Sequence, residues 1–427
     1  MKEKRMKRLF VAMMLLPLLA QGQTLEECQQ AAERNYPLIS QYGLIEKTTD
    51  LTMSNLSKGW LPQVTASAQA TYQSDVVAWP DQMQTIYQQM GLDMKGLKKD
   101  QYKVGIDVQQ MVFDGGAISS QRDIAREQGR VQEAQTEVTM YQVRRRVNEM
   151  YFGLLMLDEQ IALNNDLQSL LAANEQKLSS MWKRGTASES DYQAVKAERL
   201  NVMQQATTLD AQRRAVMRML SAFCGMEVTH VEKPALIALP SQDVAQRPEL
   251  KAIDAQLSLA NAQERLLNAA LRPRLSLFAS GFYGYPGYNM FDDMMSHDWS
   301  WNGMVGARLS WNLGAFYTHR NDKAKIRLQR DMAETSREVF LFNNRLELIQ
   351  QNENIEQYRR LMNDDEEIIA LRSSVRKAAE SKLAHGIIDV NDLVKEINAE
   401  NAARVQQSMH EIKLLKEVYD MKFTTNN

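Results

Sequence analysis

Between residues 61 and 73 hydrophobic and polar positions alternate: Val64, Ala66, Ala68, Ala70 and Tyr72 stand between Gln63, Thr65, Ser67, Gln69 and Thr71. The same period recurs where Val104, Ile106 and Val108 alternate with Lys103, Gly105 and Asp107, and where Val305, Ala307, Leu309 and Trp311 alternate with Met304, Gly306, Arg308 and Ser310. A period of two gives a strand one face for an apolar medium and one for a polar medium. Strands are therefore predicted near residues 61–73, 102–113, 273–284 and 303–313.

A different period governs the stretches between them. From about Ala117 to Lys183 there is no proline, and only Gly129 and Gly153 interrupt the run. At ~1.5 Å per residue such a helix would reach on the order of 100 Å. Val143, Val147, Met150, Leu154, Leu157 and Ile161 follow one another in steps of four and three, a coiled-coil seam. Val195, Val202, Leu209, Val216 and Phe223 repeat every seventh residue on the way back. Ile355, Met362 and Ile369, then Val405, Ile412 and Tyr419, do the same further on. Seven-residue repeats wrap helices around one another, so two long antiparallel hairpins are expected. The charges between the seams, including Arg144-Arg145-Arg146 and Asp364-Asp365-Glu366-Glu367, are read as solvated faces.

The order of these elements repeats. Helix, strand, loop, strand and long hairpin occur twice, roughly two hundred residues apart, and KRGTASESDY (Lys183 to Tyr192) aligns without gaps on AHGIIDVNDL (Ala384 to Leu393). Gly185 then falls on Gly386, and Asp191 on Asp392. A period this long reads as a duplicated domain rather than a solenoid. The expected division is 1–22, 23–225 (first repeat), 226–246 (linker), 247–423 (second repeat) and a tail from 424.

The start of the chain sets the compartment. Met1 to Arg8 is basic, Leu9 to Leu19 is apolar, and Ala20-Gln21-Gly22 offers small residues for cleavage, which is the layout of a secretory signal peptide. Cys28 in TLEECQQ follows two glutamates and lacks the small residue that lipidation needs. Past this segment no run approaches the ~18 apolar residues of a membrane helix. A net charge of −2 gives no reason to expect nucleic acid. In an exported chain, a disulfide between Cys28 and Cys224 is permitted, and two separate buried thiols fit equally well. Five histidines in no metal-type pair, cysteines far from a CxxC spacing and the lack of a phosphate-binding glycine loop leave no expected catalytic, cofactor or metal site.

Each strand is about long enough for a tilted membrane strand of ~9–11 residues, with one face toward lipid and one toward a watery lumen. A half-buried sheet on a soluble domain would alternate in the same way. On the membrane reading, Val64, Ala66, Val104, Ile106, Val305 and Leu309 contact lipid. Four strands cannot close a barrel wide enough to pass anything, and open edges in lipid leave backbone groups unpaired. Several chains must then share one barrel, and three would supply twelve strands. The loops Ser74 to Gln101 and Tyr285 to Trp301 would face outward, and their glycines, prolines and aromatics suit irregular structure.

Taken together, this order resembles the TolC family of outer-membrane efflux proteins. The likeness rests on TLEECQQAAERNYPLIS, on Pro62 and Pro273 opening strands, on the turns VFDGG and WNLGA, and on the tips RGTASESD and HGIIDVND, and it covers about Thr24 to Phe423. It implies a mixed fold, a membrane β-barrel continued by an α-helical coiled-coil barrel, with four strands and two long hairpins per chain, internally duplicated and closed by trimerisation. It also implies a passive, non-enzymatic duct in the outer membrane of a Gram-negative bacterium that extends into the periplasm. Its partners would be a periplasmic adaptor (a membrane fusion protein) and an inner-membrane pump of RND or ABC type.

The resemblance assigns roles at the hairpin ends as well. Arg184, Gly185, Thr186, His385, Gly386 and Ile387 would be the tips that intermesh with an adaptor. Asp191 and Asp392, six residues past the tip glycines, would ring the periplasmic constriction. Capping of two helix starts explains those aspartates equally well. Asp392 matches the first of two family aspartates, while the second falls on Lys395. The family's latching tyrosine and arginine fall on Leu383 and Ile388, which leaves Arg184 or Lys395 as substitutes.

Overall fold

Residues 23–92, 96–241 and 243–426 are described by the computed structural model. The segment read as a signal peptide lies outside the described residues. The chain opens with α1 (Leu25–Asn35) and α2 (Ser40–Ser57), then β1 (Gln63–Tyr72), α3 (Asp81–Gln89) and β2 (Asp100–Phe113). The first hairpin is α4 (Ala117–Lys183) and α5 (Glu189–Cys224). There follow α6 (Pro248–Ala270), β3 (Arg274–Tyr285), α7 (Met290–Ser296) and β4 (Ser300–Ser310), and the second hairpin is α8 (Ala315–Ala384) and α9 (Val390–Thr425).

Local chemistry sets the ends of these elements. In TLEE, the Thr24 hydroxyl accepts the Glu27 N–H at 3.3 Å and the Glu27 carboxylate accepts the Thr24 N–H at 3.0 Å, a reciprocal cap that starts α1. In VFDGG, Asp114 accepts the N–H groups of Gly116 and Ile118, which turns β2 into α4. The last helix continues through Thr425, and Thr424 and Thr425 are buried, so the residues read as a tail are in large part its packed end. The loops expected to be irregular each hold a short helix, α3 or α7. Aromatic and apolar packing supports them: Trp79 meets Tyr87 and Phe291, and Leu97, Tyr285 and Met294 are buried together.

The chain divides into two compact units. One holds β1–β4 with the flanking helical segments Gly43–Glu133 and Ile253–Ser336. Its strands form one antiparallel sheet in the order β1-β2-β3-β4.

The other unit holds the residues through Tyr42, Ala134–Ala252, and those from Arg337 on. Its main core gathers Leu25, Cys28 and Ala32 of α1, Val143, Val147 and Leu154 of α4, Leu220 and Cys224 of α5, and Ile412 and Tyr419 of α9. These include the residues picked out by the seven-residue pattern. A second core, with Leu171, Leu178, Val195, Leu393 and Ile397, joins the two hairpins near their tips.

One charged face differs from expectation. Asp365 is buried and holds Nδ1 of His410 at 2.9 Å, so it is not solvated. Burial of the carboxylate is offset by this partner on the facing helix.

Candidate functional site

The sheet presents two unlike faces. In antiparallel pairing, directly opposed residues share a face. Val64 pairs with Val108, Ala66 with Ile106 and Ala68 with Val104; Val104 in turn pairs with Tyr283, Ala279 with Val305 and Leu275 with Leu309. Val64, Ala66, Val104, Ile106, Val305 and Leu309 therefore lie on one face, joined by Tyr283 and Trp301. That face is bare: Val64 is 64% exposed, Val305 81% and Leu309 71%. An apolar surface of this kind on a water-facing sheet would be unusual.

The opposite face carries Thr65, Ser67, Lys103, Asp107 and Arg308. It also carries Phe278 and Phe282, which sequence alternation did not single out. Each ring lies beneath a cation: Lys103 sits 4.9 Å from the Phe282 centroid, and Arg308 5.1 Å from that of Phe278. A cation over an aromatic face keeps the ring covered on a polar surface. The two edge strands, β1 and β4, each pair on one side only within the chain.

At the hairpin ends, Gly185 and Gly386 take φ of +76° and +69°, the left-handed region that lets one helix stop and the next begin. Arg184, Thr186, His385 and Ile387 flank them and are exposed. The space around both glycines is open, since a Cβ there would meet no atom within 4 Å. Trp182 stacks on Tyr192 across the first tip at 5.5 Å.

Asp191 is the third residue of α5; its carboxylate accepts the Ser188 N–H at 3.0 Å, while Ser188 Oγ accepts the Asp191 N–H at 3.1 Å. Asp392 has the equivalent place in α9, where its N–H is accepted by Asp389 at 2.9 Å. Asp191 therefore completes a reciprocal cap, whereas at the second tip the capping side chain is that of Asp389. Arg184 donates to the Ser180 carbonyl of its own helix at 3.1 Å, and Lys395 is exposed. Leu383 and Ile388 pack into the core that joins the hairpins. Apolar packing thus stands at the two positions on which the latching pair of some family members would fall.

Cys28 and Cys224 are brought together. Both are buried free thiols, and Cys224 Sγ lies 3.4 Å from the Cys28 carbonyl oxygen. A nearby cluster went unnoticed in the sequence. Buried Arg247 grips Glu249 with two bonds of 2.6 and 2.9 Å, and donates to the carbonyls of Phe423 and Thr424 at 3.0 and 3.3 Å. Its guanidinium also faces the rings of Tyr141, Phe340 and Phe423. Burial pushes the Tyr141 phenol up to about 12. No helix among the described residues is long and apolar enough to cross a membrane, and no cluster of three or more His, Cys, Asp or Glu there could hold a metal.

Residues 53–225 match the family described as Outer membrane efflux protein. Over those residues the chain is similar to that family. Solved structures share the fold of this chain across nearly all of its length. The outer-membrane channel OprN superposes with a TM-score of 0.69 at 16% identity, covering 94% of this chain and 89% of that one. VceC of Vibrio cholerae gives 0.69 at 12% identity, with 94% and 96% covered. The open state of the Neisseria gonorrhoeae MtrE channel gives 0.65 at 13%, with 94% and 89% covered. No curated protein matches the chain by sequence.

Proposed function

We propose that three copies of this chain close into one outer-membrane efflux channel, with β4 of each pairing to β1 of the next. The observation that carries this reading is the open four-stranded sheet with one apolar, exposed face. In hydrocarbon, each unpaired backbone group costs several kcal/mol, so the two edges must find partners. Twelve shared strands satisfy every edge, with Val64, Ala66, Val104, Ile106, Val305 and Leu309 toward lipid. Lys103, Asp107 and Arg308 then line a watery lumen.

A second observation favours the shared assembly. On α8, Val339, Phe342, Leu346 and Ile349 follow one another in steps of three, four and three, yet all are exposed in the single chain. A heptad seam of this kind calls for a facing helix, and a neighbouring copy supplies one. The repeated strand–strand–hairpin order is read as an internal duplication, so three chains give six similar units around the duct.

The duct itself is passive. Its hairpins extend into the periplasm, where the tips at Arg184-Gly185-Thr186 and His385-Gly386-Ile387 dock an adaptor that leads to an inner-membrane pump of RND or ABC type. The open space around the tip glycines leaves room for intermeshing helix ends. Asp191 and Asp392 place up to six carboxylates near the periplasmic end, and Asp191 also caps its helix. Lys395 adds a cation on the same helix as Asp392.

Membrane fractionation with detergent extraction tests the reading. A channel stays with the outer membrane after high-salt washing and is extracted as a trimer. Release by salt as a monomer would assign the sheet to a soluble domain.

A further inference from the structure

We propose that Cys28 and Cys224 form an intramolecular disulfide in the exported protein, a covalent staple between the first helix and the end of the first hairpin. The inference rests on export and on the geometry of this junction, not on channel activity. The two residues are 196 positions apart in the chain and lie in one apolar core, where Cys224 Sγ approaches the Cys28 carbonyl oxygen at 3.4 Å. Neighbouring bonds hold the two helices in this register. The Asn35 side-chain amide donates to the carbonyls of Ala222 and Phe223 at 3.1 and 3.2 Å, at the last turn of α5. Gln23 pairs with Val231, and the Tyr151 hydroxyl donates to the carbonyls of Gln23 and Glu232 at 2.9 and 2.6 Å.

The neighbouring Cys224 thiol and burial hold the Cys28 thiol far above its ordinary range, while Cys28 draws that of Cys224 down. Once folded, neither sulfur is open to a bulky oxidant, so the bond must form while α1 docks on α5. The oxidant is the disulfide of an exported thiol oxidase. One cysteine thiolate attacks that disulfide, releases one oxidase thiolate and forms a mixed disulfide; the thiolate of the other cysteine then attacks the first cysteine's sulfur and displaces the second oxidase thiolate. The chain loses two protons and two electrons, and the oxidase leaves as a dithiol. An oxidising compartment maintains the product.

The test uses the full-length chain isolated from the outer-membrane fraction, denatured, and treated with a polyethylene-glycol maleimide before and after reduction. The expected result is no adduct before reduction and two after it, with one peptide linking the Cys28 and Cys224 segments. Cys28→Ser should leave one thiol reactive without reduction. Two adducts before reduction in membrane-located protein would overturn the staple and leave the channel reading intact. A reducible species of two chains joined through these cysteines would also overturn it. Chain found only in the cytosol with both thiols reactive would overturn the staple and the channel reading together.

Discussion

Glu400 of α9 and Arg376 of α8 form a buried ion pair across the second hairpin, and Arg404 holds the other carboxylate oxygen of Glu400 at 2.8 Å. Burial by itself would raise the Glu400 carboxyl, but hydrogen bonds from Arg404 and Arg376 outweigh it and hold the group below its ordinary range. A depressed carboxylate contributes stability that is fully present above its unfolded value of ~4.3 and is lost as pH falls through the lower folded value. Acid should therefore weaken this hairpin. Glu400→Gln should remove that part of the pH dependence and cost about 1–3 kcal/mol at neutral pH, because the charge-assisted bonds from Arg376 and Arg404 weaken while Arg376 keeps Glu380 as a partner. Thermal unfolding across an acid pH series checks both effects.

The two faces of the sheet should respond oppositely to the same charge. Val305→Arg places a guanidinium on the apolar face and should cost about 2–4 kcal/mol near mid-membrane. Thr65→Arg, on the polar face, should insert normally and change ion selectivity instead. Urea titration of the protein in lipid vesicles measures the first effect, and bilayer recording the second. Equal damage from both would point to a sheet buried on each side.

The tip glycines separate folding from docking. Gly185→Ala must adopt a left-handed conformation at a cost of roughly 1–2 kcal/mol, and its methyl group meets open space. Export should survive that change. Gly185→Trp should leave the trimer at normal levels and abolish export, because its bulk obstructs a partner's helix ends. Trimer yield by native gel, with cargo export in the same cells, distinguishes the cases; loss of the trimer in both variants would make the glycine a turn residue alone.

At the tips, the cap made by Asp191 is to be separated from the charge that Asp191 and Asp392 share. Asp191→Ala should cost ~0.5–2 kcal/mol through the lost cap at Ser188. Asp191→Asn should keep most of the cap while removing the charge. If the carboxylates ring the constriction, Asp191→Asn combined with Asp392→Asn lowers cation selectivity or weakens block by divalent ions in a planar bilayer. Unchanged conductance, selectivity and block would leave only the capping role.

Much of the fold was legible because it depends on short-range periods. Val64 to Tyr72 announces its two faces by alternation, and Val195 to Phe223 announces its seam by repeats of seven. The tip turns were legible through Gly185 and Gly386, since a left-handed residue leaves a compositional trace. Asp365 was not. Its burial depends on His410, 45 positions away on another helix, and a run of four acids reads locally as a solvated face. Phe278 and Phe282 escaped for a related reason: only the register shows that Arg308 and Lys103 cover them on the polar face. Arg247 likewise gained its role from Phe423 and Thr424, far along the chain. The helices α3 and α7 were hidden because glycine, proline and aromatic residues also suit irregular loops.

Pairing of β1 with β4 between chains is the central claim, and photo-crosslinking at the sheet edge tests it most directly. A photoreactive residue replacing Ala68 on β1 would be activated in intact outer membranes. The account predicts adducts of two and three chains and none larger, with the interchain crosslinked peptide coming from β4. Absence of any interchain adduct, or a ladder continuing beyond three chains, would contradict it.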